Sequence, residues 1–145
     1  MTSIQELIPV LQIAIGPVIL ISGVGLLLLS MTNRLSRVIE RARSLLAVSE
    51  SASGRARKRV LAQIDILWGQ ARLIRLSILL ASASLLSAAC LIIVLFTTAL
   101  FHVEDAWLIS ILFVTCLLSL IGSLIVFITD INRSLSAFKV ELYDR

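Results

Sequence analysis

Few side chains in this sequence can move a proton, hold a metal or attack a bond, and those few do not stand together. The single histidine, His102, lies in a short polar turn, His102-Val103-Glu104-Asp105. A metal ion there would need further ligands and a second shell of hydrogen bonds to orient them. Cys90 and Cys116 are each embedded in an apolar run, with neither zinc spacing nor a disulfide framework around them, and they read as small packing residues. Asp130 closes the last apolar run, and Arg133, three residues on, is its expected ion-pair partner. An arginine from the first helix or from the connection after it is the alternative. Catalysis needs a nucleophile, base or metal with a second group in reach, so neither an enzyme nor a cofactor is expected.

The patterned polar residues are of another kind. At about 100° per residue, Gln5, Gln12, Gly16, Gly23, Ser30, Arg34, Arg37 and Arg41 share one stripe of a helix, with Ile19 and Leu26 on the same side. Gly16, Gly23 and Ser30 are small enough for another helix to approach closely, or polar enough to line a wet path. Arg34, Arg37 and Arg41 form a basic inner mouth that would attract anions and repel cations. Pro17 removes a backbone donor within the same stretch, which predicts a kink.

These residues sit on elements that only a membrane accommodates. The chain has 145 residues and is 59% hydrophobic, with a mean hydropathy of +1.04, well above a soluble domain. Three stretches, 7–31, 77–101 and 107–129, are long enough to cross about 30 Å of hydrocarbon as helices. The expected fold is therefore all-α: one integral membrane domain over 1–145 with three transmembrane helices.

Orientation follows from the basic residues, which favour the cytoplasmic side. Of thirteen Lys and Arg, ten lie between residues 32 and 76 and the other three follow the third span. The segment before the first span and the turn before the third contain none. The N-terminus is expected outside and the C-terminus in the cytoplasm. The start MTSIQEL lacks a basic n-region, so the first span is expected to be retained, and Thr2 or Ser3 is a candidate helix cap. The net charge of +4 is accounted for by topology and by anionic headgroups. Nucleic acid is not an expected partner, because no aromatic reading surface accompanies the charge.

Between the first two spans, two apolar seams appear within polar sequence. Leu35, Val38, Ala42, Leu45 and Ser49 recur at alternating three and four, and so do Val60, Ile64, Leu67, Ala71, Ile74 and Ile78. Ser51-Ala52-Ser53-Gly54 separates them as a turn. This predicts an antiparallel cytoplasmic helical hairpin over 34–76, with Trp68 beside its seam as a packing or interface anchor. In the second span Ser77, Ala81, Ser84 and Ala88 form a small-residue face; in the third, Thr115, Ser119, Gly122 and Ser123 do.

The run from Ala14 to Leu35, AIGPVILISGVGLLLLSMTNRL, continuing to Arg37, Arg41 and Arg43, resembles a bacterial family of small three-span membrane proteins classed as a domain of unknown function. That resemblance covers nearly the whole chain and implies a bacterial inner-membrane protein. It supplies no functional residues.

Two functional readings follow. In the first, a homo-oligomer places one copy of the first helix from each subunit around an axis, so that its stripe lines an ion path and Ile19 and Leu26 form a dry constriction. In the second, the protein is a non-conducting scaffold or regulator whose stripe packs on its own other helices, and whose basic hairpin binds anionic lipid or a cytoplasmic protein.

Overall fold

The computed structural model describes residues 4–102 and 106–143. Thr2 and Ser3, and Glu104 and Asp105 of the polar turn, lie outside them. Three helices account for nearly all of the rest: α1 (Ile4–Ser51), α2 (Arg55–Phe101) and α3 (Ala106–Tyr143). At about 1.5 Å per residue the 48-residue α1 is roughly 70 Å long, more than twice the hydrocarbon thickness. The helix that contains the first span thus continues unbroken into the basic sequence after it.

Local chemistry sets the boundaries. α1 passes through both Pro9 and Pro17 as one helix, so the carbonyls one turn before each lose their usual donor. It ends at Ser51, and Gly54 takes a left-handed φ of 64°, a conformation glycine adopts without a Cβ penalty. The amide of Lys58 then donates to the Gly54 carbonyl at 3.3 Å, starting α2. His102 ends α2 with a φ of 50°, a left-handed cap that histidine tolerates better than most residues.

Each helix carries a candidate membrane span, and the three most apolar windows are only 11%, 22% and 11% buried. Large aliphatic side chains such as Ile13, Leu86, Ile93 and Leu118 therefore face outward. A soluble protein would not present so much contiguous apolar surface, whereas a bilayer solvates it. This is a multi-pass membrane protein.

The chain divides into two compact units. One comprises Met1–Leu28 and Leu79–Gly122, the other Leu29–Ile78 and Ser123–Arg145. The first buries Ala14, Val24, Ala81, Ala88, Leu91 and Cys116 together with Ser84, so its interior is built mainly of small residues that let helices approach. The second buries Met31, Leu67 and Ile74, and with them Ser49, Ser77, Ser123 and Asp130.

The buried and half-buried positions repeat along each helix with the 3.5-residue period of coiled-coil packing. In α1 the row is Ala14, Pro17, Ile21, Val24, Leu28 and Met31, continuing through Leu35, Val38, Ala42 and Leu45 to Ser49. In α2 the expected seam continues from Ile78 into Ala81, Leu85 and Ala88. In α3 the fully buried row is Cys116, Ser123 and Asp130, seven residues apart.

Candidate functional site

The site is assembled where uncharged sequence gives way to charge. On α1, Arg34 follows Met31 by one turn; on α3, Asp130 ends the row begun by Cys116 and Ser123. Arg34, beside the inward row at Leu35, reaches the inward Asp130: Arg34 Nε donates to Asp130 Oδ2 at 2.8 Å. The Asp130 side chain is completely buried while that of Arg34 is 32% exposed.

A serine and a glutamine complete the cluster. Arg34 Nη2 donates to Ser134 Oγ at 2.9 Å, and Gln70 Nε2, from α2, donates to the same oxygen at 3.3 Å. Ser134 Oγ in turn donates to the Asp130 carbonyl at 3.0 Å. The one proton and two lone pairs of that hydroxyl are thereby all used. The Arg34 guanidinium also lies 5.9 Å from the Phe127 ring centroid, a cation–π distance. Asp130 Oδ1 is buried with no hydrogen-bond partner among the described residues, so Arg34 compensates this carboxylate through a single oxygen.

This arrangement corrects the expected pairing of Asp130 with Arg133. Asp130 is buried and its Oδ2 accepts from Arg34, whereas Arg133, although within i,i+3 reach, is exposed and makes no ion pair with it among the described residues. The alternative, an arginine of the first helix, is what the structure contains. The buried α3 row also lies one residue away from part of the expected face: Thr115 is exposed and Cys116 is the buried member. Spacing of seven from Asp130 back to Cys116 was the signal that would have revealed it.

The same rows carry two further polar contacts. Ser77 Oγ donates to the Ser123 carbonyl at 2.9 Å, and Ser123 Oγ donates to the Ser77 carbonyl at 2.8 Å. Such reciprocal bonding brings each hydroxyl to the other helix's backbone. In the other unit Cys116 Sγ donates to the Ser84 carbonyl at 3.3 Å, so this cysteine packs against Ser84. Both cysteines are free thiols. Ser77→Ala removes one of the reciprocal bonds and should cost about 1 kcal/mol. Ser77→Leu, which must place a branched side chain where the serine is wholly buried, should cost about 1–3 kcal/mol more by overpacking. Denaturant titration of the two variants in detergent checks the order; a Leu variant as stable as wild type would refute the close approach.

The α1 stripe lies on a different face. Gln12, Gly16, Ile19, Gly23, Leu26, Ser30, Arg37 and Arg41 are all exposed, Ile19 and Leu26 to 66% and 71%. A Cβ built on Gly16 or Gly23 meets nothing within 4 Å. None of the described residues, therefore, covers Gly16 or Gly23 at the distance of a Cβ contact. Arg34 departs from the stripe towards Asp130 and leaves Arg37 and Arg41 as the basic residues of that face.

Comparison with curated proteins and with solved structures returns no match. A family match does cover residues 14–140, taking in the α1 stripe from Gly16 onward, the Arg34–Asp130 cluster, most of the first candidate span and the other two. The chain belongs to DUF2721, a family of proteins of unknown function.

Proposed function

We propose that the protein is a homo-oligomeric, channel-like assembly of the bacterial inner membrane, with its N-terminus outside and its C-terminus in the cytoplasm. The residues between the first two spans form an antiparallel cytoplasmic hairpin, and α1 from each subunit faces a central path. The observation that carries this reading is the outward α1 stripe. An amide at Gln12 and bare backbone at Gly16 and Gly23 gain nothing from lipid, and among the described residues Gln12 is exposed and nothing lies within 4 Å of a Cβ at either glycine. Other copies of α1, or a water-filled path between them, satisfy both.

Along the path, Ile19 and Leu26 supply an apolar constriction, and Arg37 and Arg41 supply rings of positive charge at the inner mouth that favour anions. The second reading, a non-conducting scaffold that engages anionic lipid or a cytoplasmic protein, keeps support from the basic hairpin, whose arginines are largely exposed.

Recording from the purified protein in planar bilayers, with its oligomeric mass determined in detergent, tests the proposal. Discrete currents are expected, and Arg37→Glu should shift their preference from anions towards cations. An ordered oligomer that stays silent across voltage, pH and calcium would leave the scaffold.

A further inference from the structure

A groove of about 550 Å³ opens between α1 and α2 in the second compact unit. Leu35, Val38, Ile64 and Leu67 give it an apolar lining, and Ala42 and Ala71 leave room within it. Arg43, Arg72, Arg75 and the 74% exposed Trp68 also line it. The segment from 34 to 76 carries ten basic and three acidic side chains, so the groove lies outside the hydrocarbon.

The three arginines are exposed and make no ion pair or hydrogen bond among the described residues. Glu40 and Asp65, on the same stretches of helix, are exposed too and form no ion pair with these arginines among the described residues. Apolar side chains add to this: Ile39 and Leu46, which also line the groove, are 41% and 48% exposed. A helix surface that is merely solvated has no use for this combination.

We propose that this groove docks an amphipathic helix bearing acidic side chains on either side of its apolar face. A helix in a groove anchors through residues three and four apart, which the spacing of the lining from Leu35 to Leu46 and from Ile64 to Arg75 matches. Exposed tryptophan and arginine around an apolar centre is the composition of binding hot spots between proteins. An acyl chain is a poorer occupant, because it would leave an equally apolar bilayer to enter the groove. A second copy meeting face to face is poorer still, since it would bring two sets of three unpaired arginines together. The inference holds whether or not the assembly conducts.

The test uses the full chain in nanodiscs of neutral phosphatidylcholine and two synthetic peptides of roughly four helical turns. Both peptides carry leucine at every third and fourth position; one is flanked by glutamate, the other by lysine. Fluorescence anisotropy should show the glutamate peptide binding at least about tenfold more tightly, and weakening as salt rises. Ala71→Trp, which fills the groove, should reduce that binding about tenfold. Arg72→Glu with Arg75→Glu alters only exposed side chains and should reverse the preference towards the lysine peptide, so the proposal stays testable if Ala71→Trp misfolds. It is overturned if neither peptide binds, if both bind alike, or if charge reversal changes nothing. A change of oligomeric mass in Ala71→Trp would assign the groove to a second copy, and loss of peptide binding in phosphatidylglycerol nanodiscs would assign it to lipid; either overturns it.

Discussion

Arg34→Met should cost the protein about 3–5 kcal/mol of stability, the largest loss from a single change at the polar cluster. The substitution keeps much of the apolar stem and removes the guanidinium, so Asp130 remains a buried carboxylate. Its Oδ2 loses the 2.8 Å bond from Arg34, its Oδ1 already has no partner among the described residues, and Ser134 loses one of its two donors. Burying an uncompensated charge is far more expensive than breaking an exposed pair.

The complementary variant should behave differently. Asp130→Asn preserves an oxygen that can accept from Arg34, and the partly exposed Arg34 can keep its charge in contact with water. A loss of about 1–2 kcal/mol is expected. Combining Arg34→Met with Asp130→Leu should recover most of the deficit of Arg34→Met, because the buried charge disappears with its partner. Thermal unfolding of the three variants in detergent, followed by helicity, measures the order. Equal losses from the two single changes, or a double variant no better than Arg34→Met, would show that the ion pair carries no such weight.

That pair also marks where sequence patterning ceases to be sufficient. The three apolar runs were legible because nothing but a membrane solvates twenty such residues in succession. The seams from Leu35 to Ser49 and from Val60 to Ile78 stood out because their apolar members are set among arginines and serines. Upstream of Met31 the same row continues through Leu28, Val24 and Ile21, but there most neighbours are apolar as well and none is charged. A hydrophobic period has no contrast inside a membrane span, and the eye goes instead to the polar exceptions.

The exceptions then sorted into two groups that composition does not separate. Ser77, Ser123 and Cys116 use their polarity inside the chain, on carbonyls of the facing helix, and the Ser84 hydroxyl meets the Cys116 sulfur. Gln12, Gly16, Gly23 and Ser30 lie on the outer face. Both groups look alike in one dimension, as small or polar residues at helical spacing. Asp130 illustrates the remaining difficulty: local spacing offered Arg133, while the direction of the α3 row, set by Cys116 and Ser123, turned it to Arg34, 96 positions away.

The outer group gives the second large effect. Gly23→Leu should leave the subunit's own fold intact, since a Cβ at that position meets nothing within 4 Å, and replacing glycine within a helix even gains about 0.5–1 kcal/mol in propensity. In an assembly whose α1 helices approach through Gly16 and Gly23, the same side chain separates the backbones. Multi-angle scattering in detergent should find the oligomer reduced to smaller species while the melting temperature of the chain holds or rises. Leu26→Asn separates a path from a mere contact at the same face. Leu26 is 71% exposed, so an amide there is tolerated by the subunit, but it wets a constriction that conducts only when hydrated. Basal ion flux into liposomes should rise on the order of tenfold, which corresponds to about 1.4 kcal/mol off the barrier. An oligomer that survives Gly23→Leu would place the subunit contact elsewhere. Flux that ignores Leu26→Asn would mean that α1 meets its neighbours without enclosing a path, because a dry contact between helices has no water column to restore.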